Sequence, residues 1–251
     1  MPPFQLICEI EPPTRPDLMH ARHQIGVLSK VANSFLIPDN HIGRATVSSI
    51  AVAHEVEQMG GRAIACINAR DRNLLGFRRD LLTAAAYGVD QFLLVFGDDP
   101  TSGRRTGQLT VRSMLTEVRA FADASNRTLR AGATIGLRDL PDWKRAADML
   151  FVQVSFSVDA LCRWRESLRF DGPVFAGVMV LASAGMVRKL SIGEIEIPPE
   201  HLAAVERDRD AGVALACEQV LAIRDSGAFD GVHLVPVSRY REVAARLERE
   251  L

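Results

Sequence analysis

The chain alternates between short, almost wholly apolar runs and longer stretches in which apolar residues recur every three or four positions. The short runs are FQLICEI (4–10), SFLI (34–37), RAIACIN (62–68), QFLLVFG (91–97), RAGATIG (130–136), MLFVQVSF (149–156), PVFAGVMV (173–180) and GVHLVPV (231–237). Their length, their β-branched and aromatic content and the breakers around them predict strands. Helical periodicity fills 17–32, 44–59, 71–87, 107–124, 141–148, 158–169, 183–190, 200–226 and 239–250. Pro16–Asp17, Asp71, Asp139 and Ser238 stand where helix starts are expected, and Gly60–Gly61, Gly88 and Gly227 where helices end.

Strands with so little polar alternation are those of a parallel sheet covered by helices on its faces. Eight of them, joined by helical crossovers within 251 residues, predict an α/β protein with a (β/α)8 TIM barrel as a single domain. The alternative is an open, doubly wound sheet. No linker, repeat or low-complexity segment divides the chain. The stretch GEIEIPPEHLAAVERDRDAG (193–212) exceeds a plain crossover and predicts an extra helix near the barrel mouth.

Barrel sites collect at the C-terminal ends of the strands. Those ends carry Glu9, Glu11, Asp39, Asn40, Asn68, Asp98, Asp99, Arg138, Asp139, Gln153, Ser155 and His233. In CEIEPP, Glu9 and Glu11 share one face of a strand while Cys8 and Ile10 share the other. The pair is either a solvated edge or a set directed into a cavity, where like-charge proximity keeps a proton available for donation. Gln153, inside the apolar run FVQVSF, reads as a buried amide in need of partners that a ligand could supply.

Composition removes several function classes. The chain is 47% hydrophobic and 24% charged with a net charge of −1, which gives no global electrostatic case for nucleic acid or an anionic membrane. No apolar run approaches the roughly 20 residues of a membrane span, and no signal peptide is visible, so a cytoplasmic protein is expected. Cys8, Cys66, Cys162 and Cys217 lack any C-x-x-C spacing and read as scattered thiols; no metal site is expected.

Taken together, the strand-end motifs resemble a known family. CEIEPP resembles the strand-one signature of methylenetetrahydrofolate reductases, where a Glu three residues before the first of two prolines closes the strand. IACINA resembles their third strand, VFGDDP their fourth, and VQVSF their sixth, where a Gln precedes aromatics. The motifs follow one another in order and spacing along the whole chain. The resemblance implies a (β/α)8 barrel that reduces the methylene group of methylenetetrahydrofolate to methyl through a flavin (FAD) itself reduced by NAD(P)H. It implies that Glu9 is the general acid, that Asp98 contacts the pterin and tunes the flavin, and that Gln153 contacts the folate. Glu11 and Asn68 are further candidates for the substrate, and Asp39, Asn40 and Arg138 for the cofactor.

The departures carry information too. Glu11 stands where the family has an aromatic, Phe96 where it has an Arg, Ala63 where it has a flavin-contacting His, and Pro38 where it has a Thr. Glu11 makes the mouth of strand one more acidic, and the other three changes predict weak FAD binding, with a deazaflavin or a nicotinamide acting directly as alternative hydride donors. A catalytically silent folate-binding or accessory protein is the reading from another class, and association into a homo-oligomer is left open. Other candidates are weaker: His20 and His23 as ligands, the loop SGRRTGQ (102–108) for an anion, and Met186, Arg188 and Lys189 for a glutamate tail. Paired carboxylates also suit a metal or a glycosidase, but the only tryptophans, Trp143 and Trp164, lie in helical patterns rather than as sugar platforms.

Overall fold

Side-chain parity along each strand sorts the chain into two apolar layers. Ile7, Leu36, Ile64, Cys66, Leu93, Met149, Phe151 and Phe175 form an inner cluster. Their neighbours in sequence, such as Leu6, Cys8, Phe35, Ala65, Phe92, Leu150, Ala176 and Leu234, pack outward against the helices. A sheet buried on both faces in this way needs no polar alternation, which is why the strands read as continuous apolar runs.

The computed structural model describes residues 3–190 and 195–250. Its strands are β1 Gln5–Glu9, β2 Ser34–Ile37, β3 Arg62–Asn68, β4 Gln91–Val95, β5 Arg130–Ile135, β6 Met149–Val154, β7 Val174–Met179 and β8 Gly231–Val235. They form a closed parallel barrel in sequence order. Pairing of β8 with β1, from Gln5↔Gly231 to Cys8↔Leu234, excludes the open doubly wound sheet. The helices are α1 Met19–Leu28, α2 Ser49–Gln58, α3 Leu74–Ala86, α4 Val111–Ser125, α5 Val158–Ser167, α6 Ala184–Leu190, α7 Pro199–Arg207, α8 Ala211–Ser226 and α9 Tyr240–Glu250. None among the described residues is long and apolar enough to cross a membrane.

Three elements differ from the sequence expectation. The helix expected at 141–148 is a short 3-10 segment, Asp142–Ala146, because Pro141 sets its entry and β6 begins at Met149, leaving too little chain for two α-helical turns. The stretch 200–226 is two helices, α7 and α8, broken at Asp208–Asp210. That break is held by Arg239, which donates to the Asp210 carboxylate and the Arg209 carbonyl. α7 is the extra helix expected within 193–212; residues 193 and 194 lie outside the described residues. Finally, α3 starts at Leu74 with Asn73 as its cap, its Oδ1 accepting from the Gly76 N–H at 2.8 Å, rather than at Asp71.

β6 carries one extra residue against β7: Phe151 pairs with Phe175, but Val154 pairs with Gly177. The bulge presses the β6 backbone onto its neighbour, and a Cβ at Gly177 would lie 2.5 Å from the Val152 carbonyl oxygen. Only glycine fits there.

Candidate functional site

Phe151 and Phe175, with ring centroids 5.1 Å apart, make an aromatic floor across the barrel interior. Inward positions nearer the C-terminal end are no longer apolar. Ile7 pairs with His233 across β1 and β8, so Glu9, two residues further along the same face, is the diagonal neighbour of His233. Glu9 Oε2 lies 3.3 Å from His233 Nε2, and the two side chains retain only 15% and 13% exposure. Nε2 is buried without an aligned hydrogen-bond partner, so the pair is close enough for an ion pair but is not a well-formed hydrogen bond. The imidazole meets Phe151 edge-on at 5.8 Å, and glycine at position 177 is its partner on β7. Cys66 lines the same interior from β3; burial, and then the charges of Glu9 and Asp39, push its thiol well above the usual range, so it remains protonated and is no nucleophile.

The rim residues on β2 and β3 are occupied with one another. Asp39 Oδ2 accepts from the Asn68 N–H at 2.9 Å, from Asn68 Nδ2 at 2.7 Å and from Arg72. Arg72 bridges onward to Asp80 at 2.6 Å; burial opposes its charge, but the carboxylates of Asp39 and Asp80 outweigh that and raise its pKa. Asn68 Oδ1 accepts from the Asp71 N–H. Asn40, in the left-handed region at φ 48°, accepts from the Thr46 N–H and donates to Asp71. Asp71 also takes the buried Arg70, whose guanidinium holds that carboxyl down at about 2. Asp39, Asn40 and Asn68 thus knit the β2 and β3 loops together.

Asp98 is exposed; its carboxylate accepts from the Ile42 N–H at 3.0 Å and its carbonyl accepts from Arg70. Arg138 is exposed, its carbonyl taking the Trp164 indole N–H at 2.9 Å. Glu11 lies past the end of β1 and is exposed, its backbone clasped in both directions by Gln24. Gln153 is exposed rather than buried, because the bulge in β6 re-aims it above the packed layer, with its Oε1 over Gly136. Of the twelve strand-end polar residues, the structure brings Glu9 and His233 together on the barrel floor.

The weaker candidates have internal partners. His20 and His23 contact Tyr240 edge-on, and His23 receives Arg241. In the 102–108 loop Arg105 pairs with Asp99 and lies 5.2 Å over Phe96, while Thr106 donates to the Arg72 carbonyl. Arg188 pairs with Glu206 across α6 and α7. Among the described residues no group of three or more His, Cys, Asp or Glu is placed to hold a metal ion. A cavity of about 1070 Å³ opens at the opposite, N-terminal end, lined by Gln5, Arg62, Gln91 and Arg130 among others, away from this chemistry. Sequence reasoning missed Lys144, buried over Trp143 with Nζ donating to the Thr134 carbonyl at 2.6 Å; burial and then Arg138 lower its pKa.

No family model matches the chain, and no curated protein matches it. Solved structures do. One is an uncharacterized protein from Clostridium thermocellum that binds two copies of 5-methyl-5,6,7,8-tetrahydrofolic acid, at TM-score 0.68 and 12% identity over 99% of this chain and 96% of that one. The spore cortex-lytic enzyme SleL of Bacillus cereus aligns at TM-score 0.59 and 9% identity over 98% of this chain and 74% of its own. A 2,3-dimethylmalate lyase aligns at 0.55 and 11% over 99% and 84%. At these identities the likeness is one of fold.

Of the residues that the resemblance assigns to a cofactor, Asp98 and Arg138 are exposed, whereas Asp39 and Asn40 serve the loops. Asp39 Oδ2 and the side-chain amides of Asn40 and Asn68 are engaged internally. Ala63, the second residue of β3, is fully buried in the helix-facing layer at the far end from the mouth. No residue at position 63 reaches a group bound at the mouth, so the departure there is one of register rather than a lost contact.

Proposed function

We propose that the protein binds a reduced folate at the C-terminal mouth of the barrel and reduces its methylene group to methyl, taking hydride from a reduced nicotinamide that enters as a co-substrate. The observation that carries this reading is Glu9, a carboxyl group held inward at the end of β1 above an apolar floor. The order of strand-end motifs supports it, as does a folate-binding protein of the same fold.

Glu9 performs the step that needs an acid. The methylene carbon bridges two nitrogens; protonating one lets its bond to carbon break and leaves an iminium on the other. Carboxylate charge nearby stabilises that cation. Hydride addition to the iminium carbon then gives the methyl group. The Phe151–Phe175 floor and the packed interior keep bulk water from beneath the reacting centre.

The test is to incubate the purified protein with methylenetetrahydrofolate and a reduced nicotinamide and to separate the folates. Methyltetrahydrofolate forming in proportion to nicotinamide oxidised is the expected result. Folate binding with no product supports the accessory-protein reading instead.

A further inference from the structure

We infer that His233 is the proton donor that recharges Glu9 between turnovers, making the two residues one acid–base unit. The inference deepens the proposed function and rests on it. Each turnover as described leaves Glu9 as a carboxylate, because its proton has gone to the folate amine. A second turnover needs that proton replaced, from water at the mouth, where Glu9 keeps 15% exposure, or from a neighbouring group, and the protein offers few such groups. Below lie Ile7, Phe151 and Phe175, which carry no proton. On β7 the neighbouring position is Gly177, which has no side chain. On β3, Cys66 faces the same interior, but its thiol holds its proton too tightly to donate it near neutral pH. Asp39, beyond β2, is bound by Asn68 and Arg72, and the Asp98 carboxylate by the Ile42 N–H. His233 on β8 is the titratable group within reach, its Nε2 3.3 Å from Glu9 Oε2.

Nε2 also lacks any other partner although it is buried. A buried ring nitrogen left without an aligned bond carries a free-energy cost, and a catalytic role is one reason for a fold to keep such a group. The ring keeps a solvent-accessible edge, at 13% exposure. Imidazole changes charge between about pH 5 and 8, and its two nitrogens let a proton enter on one side and leave on the other. The cycle balances. Glu9 gives its proton to the folate nitrogen as the C–N bond breaks, and hydride from the nicotinamide reduces the iminium. The imidazolium passes its Nε2 proton to the Glu9 carboxylate, and the neutral imidazole regains a proton from water. One proton and one hydride are taken up per methyl group formed.

The experiment compares kcat and folate KM from pH 5.5 to 8.5 for the wild type, His233→Gln, His233→Asn, Glu9→Gln and the double variant Glu9→Gln/His233→Gln. In the wild type kcat falls as pH rises across this range. In both His233 variants kcat is expected to drop roughly 10²-fold, to lose that dependence and to leave KM for folate nearly unchanged. The double variant is expected to be no slower than Glu9→Gln alone, since the relay is useless without the acid it serves. A purely structural role gives additive losses instead. Wild-type pH dependence surviving in His233→Gln, or additive losses in the double variant, overturns the relay while leaving the reductase reading intact. No turnover by the wild type at any pH overturns both.

Discussion

Glu9 takes the last inward position of β1, where the strand is still paired with β2, whereas Glu11 lies beyond the strand and faces solvent. Their chemistry should differ accordingly. Glu9→Gln keeps the shape and removes the transferable proton, so turnover should fall by roughly 10²–10⁴ with little change in folate affinity. Glu11→Gln should stay close to wild type in both; steady-state kinetics with a binding titration checks the pair. Asp39 invites a different measurement. Removing its carboxylate leaves half-buried Arg72 and the Asn68 amide short of an acceptor. Asp39→Ala should therefore destabilise the fold by about 3 kcal/mol in urea unfolding, the low end of the range because Asp80 still pairs with Arg72. Strand parity in CEIE put Glu9 and Glu11 on one face without separating them; what separates them is the end of β1 at Glu9, which parity does not show. Gln153 was misread as buried because a bulge leaves no mark on the apolar pattern, and the Asp39–Asn68–Arg72 cluster joins residues from two strand ends whose register the sequence does not show.

At the element scale, the loops after β2 and β4 set the shape of the mouth. Gly43 has φ +67°, and a Cβ there would lie 2.0 Å from the Asp99 carbonyl oxygen, while Gly88, at φ +77°, has open space around it. Gly88→Ala should cost about 1 kcal/mol for its backbone conformation alone. Gly43→Ala should cost more, by a further 1–3 kcal/mol or so of overpacking, and thermal unfolding of the two variants separates the effects. The loop after β3 adds a pH dependence. Arg70 holds the Asp71 carboxyl at about 2, below the usual value near 4 of an unfolded chain. The depressed value means that the stabilisation is present above about pH 4 and lost as pH falls towards 2. The stability gap between wild type and Asp71→Asn should shrink over that window, in urea unfolding at pH 5, 3 and 2. Strands were legible from their apolar runs. Helix starts were less so: Asp71 looked like a cap, but its carboxylate is taken by Arg70, and Asn73 caps α3 instead.

For the molecule as a whole, eight apolar runs and their crossovers foretold a parallel sheet covered by helices, and their number and the chain length pointed to a barrel, but closure itself shows only in the β8–β1 pairing. The site was harder, because a barrel rim is built from residues far apart in sequence, and most polar rim residues here serve the loops. That use of the rim bears on the cofactor. With Asp39, Asn40 and Asn68 engaged, and with Phe96 where the resemblance calls for an Arg, the expectation is that FAD lacks a charge-assisted bond worth about 1.5–3 kcal/mol and neutral ones near 1 kcal/mol each. FAD added to the purified protein should bind at micromolar strength or weaker by flavin fluorescence. The central claim is that hydride passes straight from nicotinamide to a folate activated by Glu9. It is tested most directly with nicotinamide carrying deuterium at the transferred position. Direct transfer predicts one deuterium in every methyl group formed, with none lost to solvent. A methyl product whose label has exchanged with water, as a flavin carrier permits, or no methyl product at all, would contradict it.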